Sequence, residues 1–226
     1  TMNISDIIPF SILYVYVAIV FYCSEKFFKD DPKLSRKVLH IMVGNCIFIM
    51  PFFIDPMAMV LFLTFPLTLF AFLLTKYSPI QIQNTATEAG HDLGLVYYAG
   101  IWTILIILLP NHLWIVALAI AAMVYGDGFA SVVGERYGVN KYNLTGDQKS
   151  IQGSVTMFLV VIVASIIVLS FYKLIGYPST PVISIPIILL ISLIVTFVEA
   201  ATPRGLDNVS VCIVTAILYY ISMVVF

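Results

Sequence analysis

Apolar runs close to twenty residues long recur eight times along this chain, and the gaps between them are too short to house a soluble domain. A helix needs about 20 predominantly apolar residues to cross the hydrocarbon of a bilayer. The runs lie near 7–24, 38–54, 57–75, 93–110, 112–134, 152–172, 182–200 and 208–226. Composition removes the alternatives. Of the 226 residues 61% are hydrophobic and only 10% are charged, against roughly 25% charge in soluble domains. Mean hydropathy is +1.05. A water-soluble fold of this size cannot hide so much apolar surface. A soluble globular domain, a disordered chain and a nucleic-acid binder are therefore excluded. The expected fold class is an all-α integral membrane protein, a bundle of about eight transmembrane helices forming a single polytopic domain over 1–226. The first run lacks a basic flank and is expected to be a retained span rather than a cleaved leader.

The eight spans can be tested against charge. With that count the basic residues should gather in alternate loops. Lys26, Lys29, Lys33, Arg36 and Lys37 fall in the first loop, Lys76 in the third, Arg136, Lys141 and Lys149 in the fifth, and Arg204 in the seventh. Only Lys173 of the eleven basic residues falls in an even loop. Both termini are then expected outside, with a charge-rich cytoplasmic face opposite a nearly bare outer one. Ten of the twelve acids follow the same side, Asp6 and Asp55 being the exceptions. Such a face suits a charged, soluble substrate, although solvated loops alone would look similar. Cys23, Cys46 and Cys212 form no CxxC pair and read as packing residues.

The stretch 125–154 carries the most chemistry. Helical steps place Asp127, Ser131, Gly134 and Gly138 on one face, a carboxylate followed by a hydroxyl and bare backbone. Small residues allow close approach of a helix or a ligand, and a carboxylate at the end of such a ridge suits a divalent cation bridging phosphate oxygens. The bland alternative is a helix-packing stripe with a solvated Asp. After a polar loop over 140–147, Lys149, Ser150, Gly153 and Ser154 open a new apolar helix. Free N–H groups at a helix start bind anions, and Lys149 adds a point charge suited to phosphate. Asp127 with a metal and Lys149 with a helix start could together hold a nucleoside triphosphate. No Walker A loop or dinucleotide fingerprint is present, and the Asn143 sequon falls on the inner side.

These residues resemble the nucleotide-binding signature of the dolichol kinase family, which includes phytol and other polyprenol kinases and CTP-dependent diacylglycerol kinases. The similarity runs through Asp127-x-x-Ala130-Ser131-x-x-Gly134-x-x-x-Gly138-x-x-Lys141 and Lys149-Ser150-x-x-Gly153-Ser154. It continues in Arg36-Lys37-x-x-His40, in Glu88 with Leu93-Gly94-x-x-Tyr97-Tyr98, and in Glu199 and Asp207-Asn208, so that 36–40, 88–98 and 199–208 join 125–154 in the expected order. Where members often carry Lys-Lys-Thr-x-Glu-Gly, this chain has Gln148-Lys149-Ser150-Ile151-Gln152-Gly153, one Lys and one carboxylate fewer. The resemblance implies transfer of the γ-phosphate of CTP to a membrane lipid alcohol of the dolichol or polyprenol type, with Mg²⁺. The alternatives are a CTP-dependent cytidylyltransferase making a CDP-activated lipid and a small-solute transporter. No charge sits in the middle of a span, which counts against the transporter.

The remaining candidates are weighed individually. Arg36, Lys37 and His40 cluster on one helical side, as phosphate ligands with His40 a possible proton shuttle, or as a basic anchor at lipid headgroups. Glu199 ends a span, where an ionisable group is costly and tends to be functional. Asp207 and Asn208 open the last span as metal or nucleotide contacts, or as cap and first turn. Arg204 is placed to close over phosphate. The expected metal ligands are Asp127, Glu199 and Asp207. Asp127, Glu88 and Asp207 are the expected catalytic carboxylates, with Glu88 or Asp207 as proton acceptor. The expected partners are CTP, a lipid alcohol and the bilayer. The expected location is the cytoplasmic face of a prokaryotic plasma membrane.

Overall fold

The computed structural model describes residues 4–73, 75–79, 93–145, 147–203 and 205–225. Among them run eight helices: α1 (Ile7–Phe27), α2 (Pro32–Val43), α3 (Pro56–Leu73), α4 (Gly94–Leu108), α5 (Leu113–Tyr137), α6 (Ile151–Leu174), α7 (Ile185–Ala201) and α8 (Asp207–Val225). Each falls on one of the eight apolar runs. Five are long and apolar enough to cross a membrane: α1, α3, α5, α6 and α8. The apolar stretches Lys37–Phe52, α4 and α7 are shorter. A 15-residue helix such as α4 covers about 22 Å at 1.5 Å per residue, less than the ~30 Å of hydrocarbon. Large apolar side chains point outward along the long helices, for example Leu159, Val163 and Ile167 of α6 and Ile213, Ile217 and Val224 of α8. In water such faces would aggregate, whereas in lipid they are solvated by acyl chains. The chain is an all-α, multi-pass membrane protein. It forms two compact units, Thr1–Asn111 and His112–Phe226.

In the first unit, α2 starts six residues before its expected span. The Asp31 carboxylate accepts the Leu34 N–H at 3.0 Å and Pro32 fills the first turn, the preferred chemistry of a helix start. Buried Ser24 and Ser35 are hydrogen-bonded at 2.8 Å, tying α1 to α2. Beyond Val43 the chain continues in 3₁₀ turns over Gly44–Phe48 and Met50–Phe52. Pro51 has no N–H to give an α-helix there. In α3 a π turn spans Val60–Thr64, just ahead of Pro66. Pro66 cannot donate to the Phe62 carbonyl one turn earlier, and that oxygen accepts the Tyr14 hydroxyl instead.

The second unit holds α5 to α8. Helix α5 packs on α6 and α8, and α7 packs on the same two. Every side chain from Leu113 to Val124 is buried, which is why this run is apolar on all sides. Gly126 allows the close approach of α5 and α6, since a Cβ there would lie 2.6 Å from Met157 Sδ and 2.8 Å from Val161 Cγ2. A π turn over Ala122–Asp127 ends at Asp127. Turns of this kind recur at functional sites.

The segment expected as a polar loop is ordered differently. Lys141–Asn143 (β1) pairs antiparallel with Gln148–Ser150 (β2), with Tyr142 opposite Lys149. Three-residue strands carry too little alternation to be read from sequence, and pairing across the turn decides them. Ser150 then caps α6, its Oγ accepting the Gly153 N–H at 3.1 Å. Substituting Ser150 with Ala is expected to lower stability by about 1 kcal/mol through loss of this cap. Thermal unfolding in detergent would measure it, and an unchanged melting temperature would show the cap to be idle.

Candidate functional site

The site assembles at one end of the second unit, where α5 ends, α6 begins and α7 turns into α8. Asp127 stands at the π turn of α5, half-buried. Glu199 lies in the last turn of α7 and is 6% exposed, and Asp207 opens α8 and is 5% exposed. One oxygen from each of these three carboxylates lies within 4.8 Å of the others. The short turn between α7 and α8 keeps the second and third together. Gly205 adopts φ +96°, a left-handed conformation that favours glycine. Its N–H and that of Asn208 donate to Asp207 Oδ1 at 2.9 and 3.0 Å. Ser210 Oγ donates to Thr202 Oγ1 at 3.0 Å across the same turn. Asp207 is thus a turn fastener as well as a member of the cluster.

Lys149 faces the carboxylates from β2. Its Nζ lies 2.6 Å from Glu199 Oε1 and also donates to the Glu199 backbone carbonyl. Both side chains of the pair are about nine-tenths buried. A buried charge is tolerated only when paired and hydrogen-bonded. One ammonium against three clustered carboxylates nevertheless leaves an excess of negative charge. Hard oxygen donors in this number suit a small divalent cation, so the donor set fits Mg²⁺.

A cavity of about 200 Å³ opens over this cluster. Asp127, Ser131 and Gly134 line it from α5, as their shared helical face predicts. Lys141, Lys149 and Ser150 line it from the hairpin, Gly153 and Ser154 from the first turn of α6, and Glu199 and Asp207 from the far side. The glycines bring the walls together. A Cβ on Gly153 would lie 3.1 Å from the Ala130 carbonyl oxygen and 3.5 Å from Gly134 Cα. The packing role and the site role of this small-residue stripe coincide.

Several of the expected site residues have partners within the protein. Lys149 was expected to offer a charge to phosphate, and here it is held by Glu199. The N-terminus of α6 was expected to present free N–H groups, yet the Gly153 N–H is taken by Ser150 and the Ile151 N–H by the Asn140 carbonyl at 2.9 Å. Ser154 Oγ is hydrogen-bonded to the Tyr142 hydroxyl at 2.5 Å. Gly138 does not line the cavity. It ends α5, its N–H donating to the Gly134 carbonyl at 3.1 Å. Asn208 is buried and does not line the cavity either. Glu135 and Gln148 do line it, beyond the expected site residues. The signal for Glu135 was its place eight residues after Asp127 and four after Ser131.

Lys37 and His40 belong to the first unit. The His40 ring packs against Tyr98 at 4.4 Å between centroids, and the Tyr98 hydroxyl donates to the His40 carbonyl at 3.2 Å. Glu88, Arg204 and the Arg36 side chain lie outside the described residues.

No family model and no solved structure matches the chain. Curated relatives do. A probable phytol kinase 1, chloroplastic, of Glycine max is 29% identical over 197 residues, 80% of this chain and 64% of that protein. A probable phytol kinase, chloroplastic, of Triticum aestivum is 29% identical over 204 residues, 83% of this chain and 67% of that one. Phytol kinase 1, chloroplastic, of Arabidopsis thaliana is 32% identical over 110 residues, 46% of this chain and 35% of the relative. The chain thus spans about two thirds or less of the length of these relatives. Taken with the helical, multi-pass fold, these matches make the chain a distant homologue of the phytol kinases.

Proposed function

We propose that this protein is a CTP-dependent kinase that transfers the γ-phosphate to an isoprenoid lipid alcohol, of the phytol to polyprenol and dolichol type, at the cytoplasmic face of a prokaryotic plasma membrane. One observation carries the reading: three carboxylates and a lysine converge in a cavity at the end of a lipid-facing helical unit. The cavity walls come from the fifth and seventh loops and their flanking helix ends, on the side that collects the basic residues. Asp127, Glu199 and Asp207 would hold Mg²⁺, which when bound neutralises charge on the phosphates.

Phosphoryl transfer demands positioning and charge neutralisation more than covalent chemistry. The cavity, at about 200 Å³, is below the ~300 Å³ of ordinary small-molecule pockets. It accommodates the phosphate end of a nucleotide, and the nucleoside extends past Glu135 and Lys141, which are exposed at its rim. Lys141 and Lys149 supply positive charge to the phosphates, and Ser131 and Ser150 supply hydroxyls. The alcohol arrives laterally from the bilayer with its tail among acyl chains. Asp207 accepts its proton, and Arg204 adds positive charge for the phosphates.

The test is a panel of lipid alcohols, phytol, geranylgeraniol, a polyprenol, dolichol and diacylglycerol, each offered with each of the four nucleoside triphosphates. The expected result is a phosphorylated isoprenoid alcohol and CDP. Release of pyrophosphate from CTP with a phosphatidic acid acceptor would instead identify cytidylyl transfer. Solute uptake without nucleotide consumption would identify a transporter.

A further inference from the structure

The contact between Lys149 and Glu199 raises a question that the proposed function leaves open. Glu199 belongs to the carboxylate cluster, yet one of its oxygens is already engaged by an ammonium at 2.6 Å. Lys149 is the cation expected to meet phosphate, yet it is bound on two sides by Glu199, through the carboxylate and the backbone carbonyl. Each partner therefore occupies the position that a ligand would take on the other. Both are about nine-tenths buried, so neither can simply let go into water. Leaving one member of such a pair uncompensated is the costly step.

We propose that Lys149 is the resident counter-cation of the carboxylate cluster, and that it exchanges Glu199 for phosphate only when metal and nucleotide arrive together. This rests on the reading of the cavity as a metal–nucleotide site. The exchange is charge-balanced. Glu199 trades an ammonium for a divalent cation, and Lys149 trades a carboxylate for a phosphate oxygen. Free metal alone would have to expel Lys149 with nothing to receive it. Metal-free nucleotide would have to pull Lys149 away and strand Glu199 among two other acids. The pair thus selects the metal–nucleotide complex over either component.

The experiment measures binding to the full-length protein in nanodiscs, with Mn²⁺ as the metal probe, followed by the loss of its free-ion EPR signal, and CTP in EDTA as the metal-free nucleotide probe. Lys149→Met should bind Mn²⁺ about tenfold tighter than wild type without nucleotide, a coupling within the range for residues that share one salt-bridge network. Glu199→Gln should bind Mn²⁺ more weakly and metal-free CTP about fivefold tighter, because its lysine is released. Lys149→Arg keeps the charge and should retain the wild-type Mn²⁺ affinity, and it stands in where the Met variant fails to fold. Opposite signs for metal and nucleotide are the signature that a merely structural ion pair would not produce. Unchanged or weaker Mn²⁺ binding in Lys149→Met, or unchanged CTP binding in Glu199→Gln, overturns the exchange while leaving the kinase reading intact. Absence of any Mn²⁺ or CTP binding by wild type, apart or together, overturns both.

Discussion

Replacing Asp127 with Asn is expected to lower phosphoryl transfer by about a thousandfold, the scale on which loss of one charge-stabilising group acts on a transition state. The substitution keeps shape and volume, so the fold should survive it. Asp127 is half-buried and lies at the end of the π turn, where its carboxylate meets those of Glu199 and Asp207 within 4.8 Å. An amide there removes one of three charges that would hold the cation and puts an uncharged donor group in its place. Radiolabelled CTP with detergent-purified protein gives the rate, and elution as a single species in size-exclusion chromatography establishes folding. Turnover equal to wild type would remove Asp127 from the site. Loss of activity together with aggregation would assign it to structure instead.

Gly138→Ala is expected to have the largest effect on stability of any single methyl group added near the site. A Cβ at Gly138 would stand 2.7 Å from both Cβ and Oγ of Ser150 and would run into the Gly134 carbonyl oxygen. One of these obstacles is backbone and another is the capping residue of α6, so neither can move cheaply. Overpacking of this kind costs about 1–3 kcal/mol. The displacement also reaches the chemistry, because Ser150 is adjacent to Lys149 and pairs with Lys141 in the hairpin. Melting in detergent should drop by several degrees, and CTP affinity should fall with it. A variant that melts like wild type would mean that the α5–β1 turn relaxes freely, and that Gly138 is dispensable.

The comparison of Gly138 with Asp127 shows how sequence and structure divide the work. Both stand at helical spacing on the same small-residue ridge, and both belong to the same family signature. The spacing argument is purely helical, so it holds for Asp127, Ser131 and Gly134, which all line the cavity. It fails for Gly138 because α5 stops at Tyr137 and Gly138 turns out of the helix. Lys149 shows a different limit. Its charge and its place ahead of an apolar helix were visible, but its partner lies fifty residues on in α7, and no local pattern links the two. Glu135 continues the four-residue rhythm of Asp127 and Ser131 and lines the cavity at its rim.

What the amino-acid order determined by itself is the solvent of this protein and the helices among its described residues. Apolar runs of bilayer length leave a backbone only one way to satisfy its hydrogen bonds in lipid, and proline, aspartate and serine at the run ends set where α2, α3 and α6 start. These are local effects, written in neighbouring residues. The convergence of Asp127, Glu199 and Asp207, the capture of Lys149 by Glu199 and the small hairpin that carries that lysine were decided by tertiary structure. Charges far apart in the chain meet because α5 and α6 pack through glycine-close contacts and a tight turn joins α7 to α8, and the energy of a buried carboxylate depends on whichever cation the fold brings beside it.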